Sequence, residues 1–223
     1  TWLSSANAVI SAGAIPVFCD SDIKTRNVKK EHIEPLITKK TEAVMIVHYG
    51  GQCCEMDDIV KLCKKHKLKL IEDSAETIGG TWKNKYAGSW GVGCFSFFPT
   101  KNITTGEGGM ITCSNRKLYE KFKTTAAHGI NTQSYEREKF KILPWERIAN
   151  TAGHNFRMSN ILAGIGFEQI KKIDYLNNKR IKNANSYNKL IRDLKIPVEP
   201  PYKHPLTKHV YQTYSILVDP KFR

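Results

Sequence analysis

Lys101 stands just past an apolar run, Cys94 to Phe98, on a loop dense in turn formers: Thr104, Thr105, Gly106, Glu107, Gly108 and Gly109. A lysine confined at such a place can lose its proton, and a neutral amine is the nucleophile that condenses with an aldehyde. Asp73 closes a second short apolar segment, Leu68 to Asp73. Ligands of parallel sheets gather at the carboxyl ends of strands, so Asp73 is a candidate by position. Taken singly, each has an ordinary explanation. Lys101 is one of 35 Lys and Arg residues, most of which must be solvated. Asp73 could cap a following helix, worth about 1 kcal/mol.

The elements that must hold these two residues follow a strand, helix, strand order. Ala43 to His48 is a continuous apolar run, as in a strand covered on both faces. Met56 to His66 places Ile59, Val60 and Cys63 on one face of an amphipathic helix, and Leu68 to Asp73 follows as a strand. That succession is a βαβ crossover and predicts an α/β fold with a parallel sheet. Ser5 to Ala12 suits a short helix ended by Gly13, Ile15 to Asp20 an extended segment, and Glu31 to Ile37 a helix. Met110 to Cys113 is a further apolar run and Arg116 to Ala127 a helix. After a polar loop around Thr132 to Tyr135, one long helix is expected from about Ser159 to Leu194, with Ile161, Leu162, Ile165, Ile170, Ile173 and Leu176 as its apolar face. Beyond Pro200, Pro201 and Pro205, Val210 to Val218 reads as one more strand, the start of a smaller domain.

Composition excludes several other functions. The 223 residues are 40% hydrophobic, enough for a buried core. No apolar run reaches the ~18 residues of a membrane span, and no leader or lipidation pattern is found, so a cytoplasmic protein is expected. The net charge of +14 is spread over several helices without a nucleic-acid-binding motif, which suits a solvated surface. None of the six cysteines forms a Cys-x-x-Cys pair, so reduced thiols and no metal are expected.

The most specific constellation is Glu72-Asp73-Ser74-Ala75-Glu76, then Gly88-Ser89, then Cys94-Phe95-Ser96-Phe97-Phe98-Pro99-Thr100-Lys101-Asn102. With it stand Thr1-Trp2-Leu3-Ser4-Ser5-Ala6-Asn7, Ala12-Gly13-Ala14 with Pro16-Val17, Val47-His48-Tyr49-Gly50-Gly51 and Gly153-His154-Asn155-Phe156-Arg157-Met158. In this order and spacing the chain resembles the DegT/DnrJ/EryC1/StrS family of sugar aminotransferases.

The resemblance implies the fold-type-I large domain, a mainly parallel mixed sheet between helices, and pyridoxal 5'-phosphate as cofactor. It assigns Lys101 the Schiff base with the cofactor and Asp73 the pyridine nitrogen, which keeps the ring cationic and able to accept electrons. Ser96, five residues before Lys101, would donate to the cofactor phosphate, and Trp2 would stack on the pyridine face. Glu76 would lie near the ring hydroxyl, a variant found in relatives resembling perosamine synthases. Asn155 would reach the phosphate of a neighbouring subunit, giving a homodimer with shared sites.

The expected reaction is transfer of an amine from an amino acid, glutamate by expectation, to a nucleotide-linked keto-sugar for polysaccharide or glycan synthesis. Lysine at position 101 argues against the branch that has histidine there and removes a hydroxyl. The organisation implied is a large domain over residues 1–157 without its N-terminal part, a connecting helix over 158–195, and an incomplete smaller α+β domain over 196–223. A phosphate-cradling Gly-Thr/Ser turn is expected ahead of Thr1. The chain therefore reads as a fragment or a degenerate copy, and the rival function is a catalytically idle binding or regulatory protein.

Overall fold

The computed structural model describes residues 2–130 and 149–222. The expected polar loop around Thr132 to Tyr135 lies outside them. The central sheet has the order β1-β2-β5-β6, with β1 Ala43–Val47, β2 Lys69–Asp73, β5 Val92–Ser96 and β6 Gly109–Thr112. β2 runs parallel to both β1 and β5, whereas β6 returns antiparallel to β5, which makes the sheet mixed and mainly parallel.

Helix α3, Met56–Lys65, is the crossover between β1 and β2. It buries Met56, Ile59, Leu62 and Cys63, and its acidic first turn and basic last turn suit the helix dipole. These side chains join Ile33, Val44, Ile46, Cys53, Cys54, Trp82 and Ala87 in one core. Cys53, Cys54 and Cys63 are buried free thiols in or beside that core.

The interior of the sheet holds a carboxylate. Glu72 is fully buried in β2 and accepts four hydrogen bonds: Trp90 N at 2.7 Å and Gly91 N at 2.6 Å on Oε1, Gly88 N at 2.8 Å and His48 Nε2 at 3.2 Å on Oε2. His48 Nδ1 accepts from Cys54 N at 3.0 Å, which leaves the ring proton on Nε2, facing Glu72. Burial pushes the Glu72 carboxyl up, but the donors from His48, Gly91 and Gly88 outweigh it and hold the group below the ordinary carboxylate range.

Several expectations need correction. The long helix is two: α5, Asn160–Ile170, and α6, Ile173–Asp193. Lys172 N bonds back only three residues, to Gln169 O at 3.0 Å, and this tightened turn separates them. The apolar face is open on α5, which has no buried residue, with Ile161 79% exposed. The segment Ile15 to Asp20, expected only to be extended, pairs with no strand, and Phe18 is exposed.

Nor does Val210 to Val218 form one strand. Tyr211 has a positive φ of 46°, and Val210 N and Thr213 N bond to Gly51 O and Gly50 O instead. Only Leu217–Val218, β9, is a strand there, paired with β7, Val198–Glu199. Upstream, β8, Thr207–Lys208, joins the hairpin of β3, Thr81–Trp82, and β4, Lys85–Tyr86. No helix among the described residues is long and apolar enough to cross a membrane.

In Glu72→Gln the amide NH2 would face two of the four donors, so a loss of about 3 kcal/mol is expected in denaturant unfolding. Because the folded carboxyl titrates below its unfolded value of 4.5, its contribution is complete above that pH and vanishes as pH falls through the folded value. The acid-unfolding curve of the variant should accordingly lose steepness in that window.

Candidate active site

Asp73 is the last residue of β2 and lies between Val47 of β1 and Cys94 of β5. Side chains alternate along a strand, so the residue after buried Glu72 points to the opposite face. The backbone there is fixed, since His48 N donates to Asp73 O at 3.0 Å and Ser74 N to Cys94 O at 2.8 Å. Both carboxylate oxygens are engaged: Oδ1 accepts from Ala75 N at 3.1 Å and Oδ2 from Ser5 Oγ at 2.6 Å. No helix follows, so Asp73 shapes a turn and caps nothing helical.

The next strand end supplies the lysine. β5 stops at Ser96, and the chain turns with Lys101 N bonded to Phe98 O at 2.9 Å. Lys101 Nζ lies 3.7 Å from Glu76 Oε1, with the two side chains only 15% and 22% exposed. The other oxygen of Glu76 accepts from Gly50 N at 2.8 Å. Gly50 sits in the 3-10 turn Tyr49–Gly51 that follows β1, at a φ of 63°. Asp73 thus ends β2, and Glu76 and Lys101 face each other from the connections that leave β2 and β5.

A strap from the C-terminal part of the chain braces this meeting point. Val210 N and Thr213 N bond to the carbonyls of the Tyr49–Gly51 turn. On the other side Gln212 Nε2 donates to Thr100 O at 3.1 Å, and Asn102 Nδ2 to Val210 O at 3.3 Å, on either side of Lys101. The approach is close: a Cβ on Gly51, whose φ is 102°, would lie 2.8 Å from the backbone nitrogens of Tyr211 and Gln212.

The structure therefore brings Lys101 and Glu76 together, with Asp73 three residues ahead of Glu76 at the end of β2. Ser96 ends β5 opposite Gly109, and its hydroxyl oxygen accepts from Phe98 N at 3.3 Å, which leaves the hydroxyl proton able to donate. Trp2 is 79% exposed and lies one turn ahead of Ser5, at the start of helix α1, Ser4–Ser11. Asn155 is exposed, bridges Ala127 and accepts from Arg157 Nε at 3.0 Å. The cap of α5 is Ser159, which accepts from Leu162 N, so capping does not account for Asn155.

Sequence reading overlooked Ser5, Gly50, Glu72 and Gln212. A carboxylate inside a strand, next to the strand-end Asp73, was the available signal for Glu72; the others carry no local signature.

The family model described as the DegT/DnrJ/EryC1/StrS aminotransferase family matches residues 1–223. The chain belongs to that family. It is 38% identical over 215 residues to GDP-perosamine synthase of Escherichia coli O157:H7, covering 96% of this chain and 54% of that protein. The GDP-perosamine synthase of Caulobacter vibrioides is 37% identical over 217 residues, covering 97% and 56%. Among solved structures, Helicobacter pylori PseC, an aminotransferase involved in the biosynthesis of pseudoaminic acid, superposes with a TM-score of 0.89 at 32% identity, over 100% of this chain and 57% of that one. The chain spans a little over half the length of these relatives.

Aminotransferases of this family use pyridoxal 5'-phosphate. The donor set fits that group: an enclosed primary amine for an aldehyde, a carboxylate with both oxygens oriented for a pyridinium, and a strand-end hydroxyl for a phosphate.

Gly51→Ala should detach the strap, because both the backbone conformation and the contact space exclude a methyl group. A loss of about 2 kcal/mol is expected, measured as a lower denaturant midpoint with unchanged far-ultraviolet dichroism.

Proposed function

We propose that this chain provides the cofactor-holding part of an aminotransferase that transfers an amine from an amino acid, glutamate by preference, to a nucleotide-linked keto-sugar. The meeting of Lys101 with Glu76 carries this reading, since it encloses one amine against a carboxylate three residues after Asp73, whose own two oxygens are both held. Pyridoxal 5'-phosphate, when bound, supplies a ring that takes up electrons from the substrate carbon. Lys101 would hold it, Asp73 would face the ring nitrogen, and Ser96 would donate to the phosphate. Trp2 would cover the ring, and Glu76 would lie near the ring hydroxyl.

Once released from the cofactor, Lys101 Nζ would carry a proton between the substrate carbon and the cofactor carbon, as amine transfer requires. Glu76 keeps that amine within the site meanwhile. The names of the relatives favour a GDP-linked sugar, and the amino sugar formed would serve polysaccharide or glycan synthesis. Residues 1–157 would be the cofactor domain, 158–195 the connector and 196–223 the beginning of a second domain. The exposed Asn155 and the open apolar face of α5 support a homodimer in which Asn155 serves the partner's phosphate. A cytoplasmic location suits such a substrate.

Addition of pyridoxal 5'-phosphate should give a visible absorbance band, and borohydride should fix the cofactor mass on the peptide containing Lys101. Lys101→Ala should abolish both, and glutamate turnover with a GDP-linked keto-sugar should fall by at least about 1000-fold. A chain that stays colourless, or labels at another lysine, removes this reading.

A further inference from the structure

Deepening the cofactor reading above, we propose that Ser5 is a positioning residue that presents Asp73 and Trp2 to the cofactor together. The observation is a single bond, Ser5 Oγ to Asp73 Oδ2 at 2.6 Å, between side chains 68 residues apart in sequence. A bond this short to a carboxylate is charge-assisted and among the stronger kinds. It acts on both partners.

For Asp73, the hydroxyl completes the orientation begun by Ala75 N on the other oxygen. With one donor on each oxygen, the carboxylate plane cannot rotate freely about its last bond. Each oxygen still has a second lone pair, so a ring N–H can be accepted without breaking either bond. Removing Ser5 leaves one oxygen unheld, and the carboxylate then pays in orientation entropy when it meets a ring nitrogen.

For α1, the same bond is a tether. The helix buries none of its residues, and among the described residues this is the only side-chain hydrogen bond joining it to the rest of the chain. Ser5, Ala6 and Val9 are the half-buried side of the helix, whereas Leu3 and Ile10 are exposed. Trp2 lies on the turn preceding Ser5, so the hydroxyl that orients Asp73 also determines where that ring is carried. One hydroxyl thus couples a contact at the edge of the cofactor ring to a contact on its face.

The test compares the parent chain with Ser5→Ala and Ser5→Thr. Alanine is the better helix former at a partly exposed helical position, so the first variant is not expected to unfold. Hydrogen exchange of α1 is followed without cofactor. Binding of pyridoxal 5'-phosphate is followed by visible absorbance and by quenching of Trp2 emission, taken as the difference from Trp2→Phe in each background. Ser5→Ala should speed exchange throughout α1, weaken binding about tenfold and lose most of the Trp2 quenching. Ser5→Thr, which keeps the donor, should restore all three.

Parental affinity and full quenching in Ser5→Ala would overturn the inference while leaving the cofactor reading intact. So would failure of threonine to rescue, since the hydroxyl would then not be the agent. If the parent chain takes up no cofactor on Lys101, the underlying reading fails, and this inference fails with it.

Discussion

A buried carboxylate with four donors fixes the geometry around which the site is assembled. Glu72 ties β2 to the Gly88–Gly91 backbone and, through His48, to the end of β1. An ionised group with no solvent access is tolerable only when its oxygens are satisfied. The four donors therefore have little freedom to move without exposing it to a heavy penalty. Strand alternation then aims the next side chain, Asp73, the other way. Two adjacent carboxylates are separated by the pleat alone: one is consumed by the framework, and the other is left at a strand end where α1 and a ligand can meet it.

Around that axis the chain converges from distant places. The Tyr49–Gly51 turn presents Gly50 N to Glu76, the β5 exit presents Lys101 to the same carboxylate, and the strap grips both. Its grip on the turn goes through backbone carbonyls and needs a close approach at Gly51, so it depends on shape more than on side-chain identity. Its grip beside the lysine does use side chains, those of Gln212 and Asn102.

What the sequence reveals depends on whether its cause is local. The continuous apolar run of β1, the short strand of β2 and the 3.6-residue amphipathic face of α3 have local causes, and the structure has them within a residue or two. The β3–β4 hairpin escaped because its turn is Lys83-Asn84, both at positive φ, without the glycine that usually advertises such a turn. The break at Lys171-Lys172 escaped for the same reason, as neither glycine nor proline marks it. Apolar Ile161 and Ile165 indicate what α5 could bury, yet periodicity does not say what would cover it. The order of several motifs singled out Lys101 and Glu76, and the structure has them 3.7 Å apart. Ser5 and Gln212 owe their importance to partners 68 and 112 residues away, a relation that no window of sequence contains.

The strap also has a temporal side. Contacts between residues near 50, near 100 and near 212 span most of the chain, and such long loops close late because their entropy is lost before the contacts reward it. During synthesis from the N-terminus, the sheet and α3 can fold while the lysine loop still lacks its outer brace. Bracing of the Lys101 loop is thereby deferred until the residues near 212 have emerged, which separates the forming of the scaffold from the fastening of the loop at its edge.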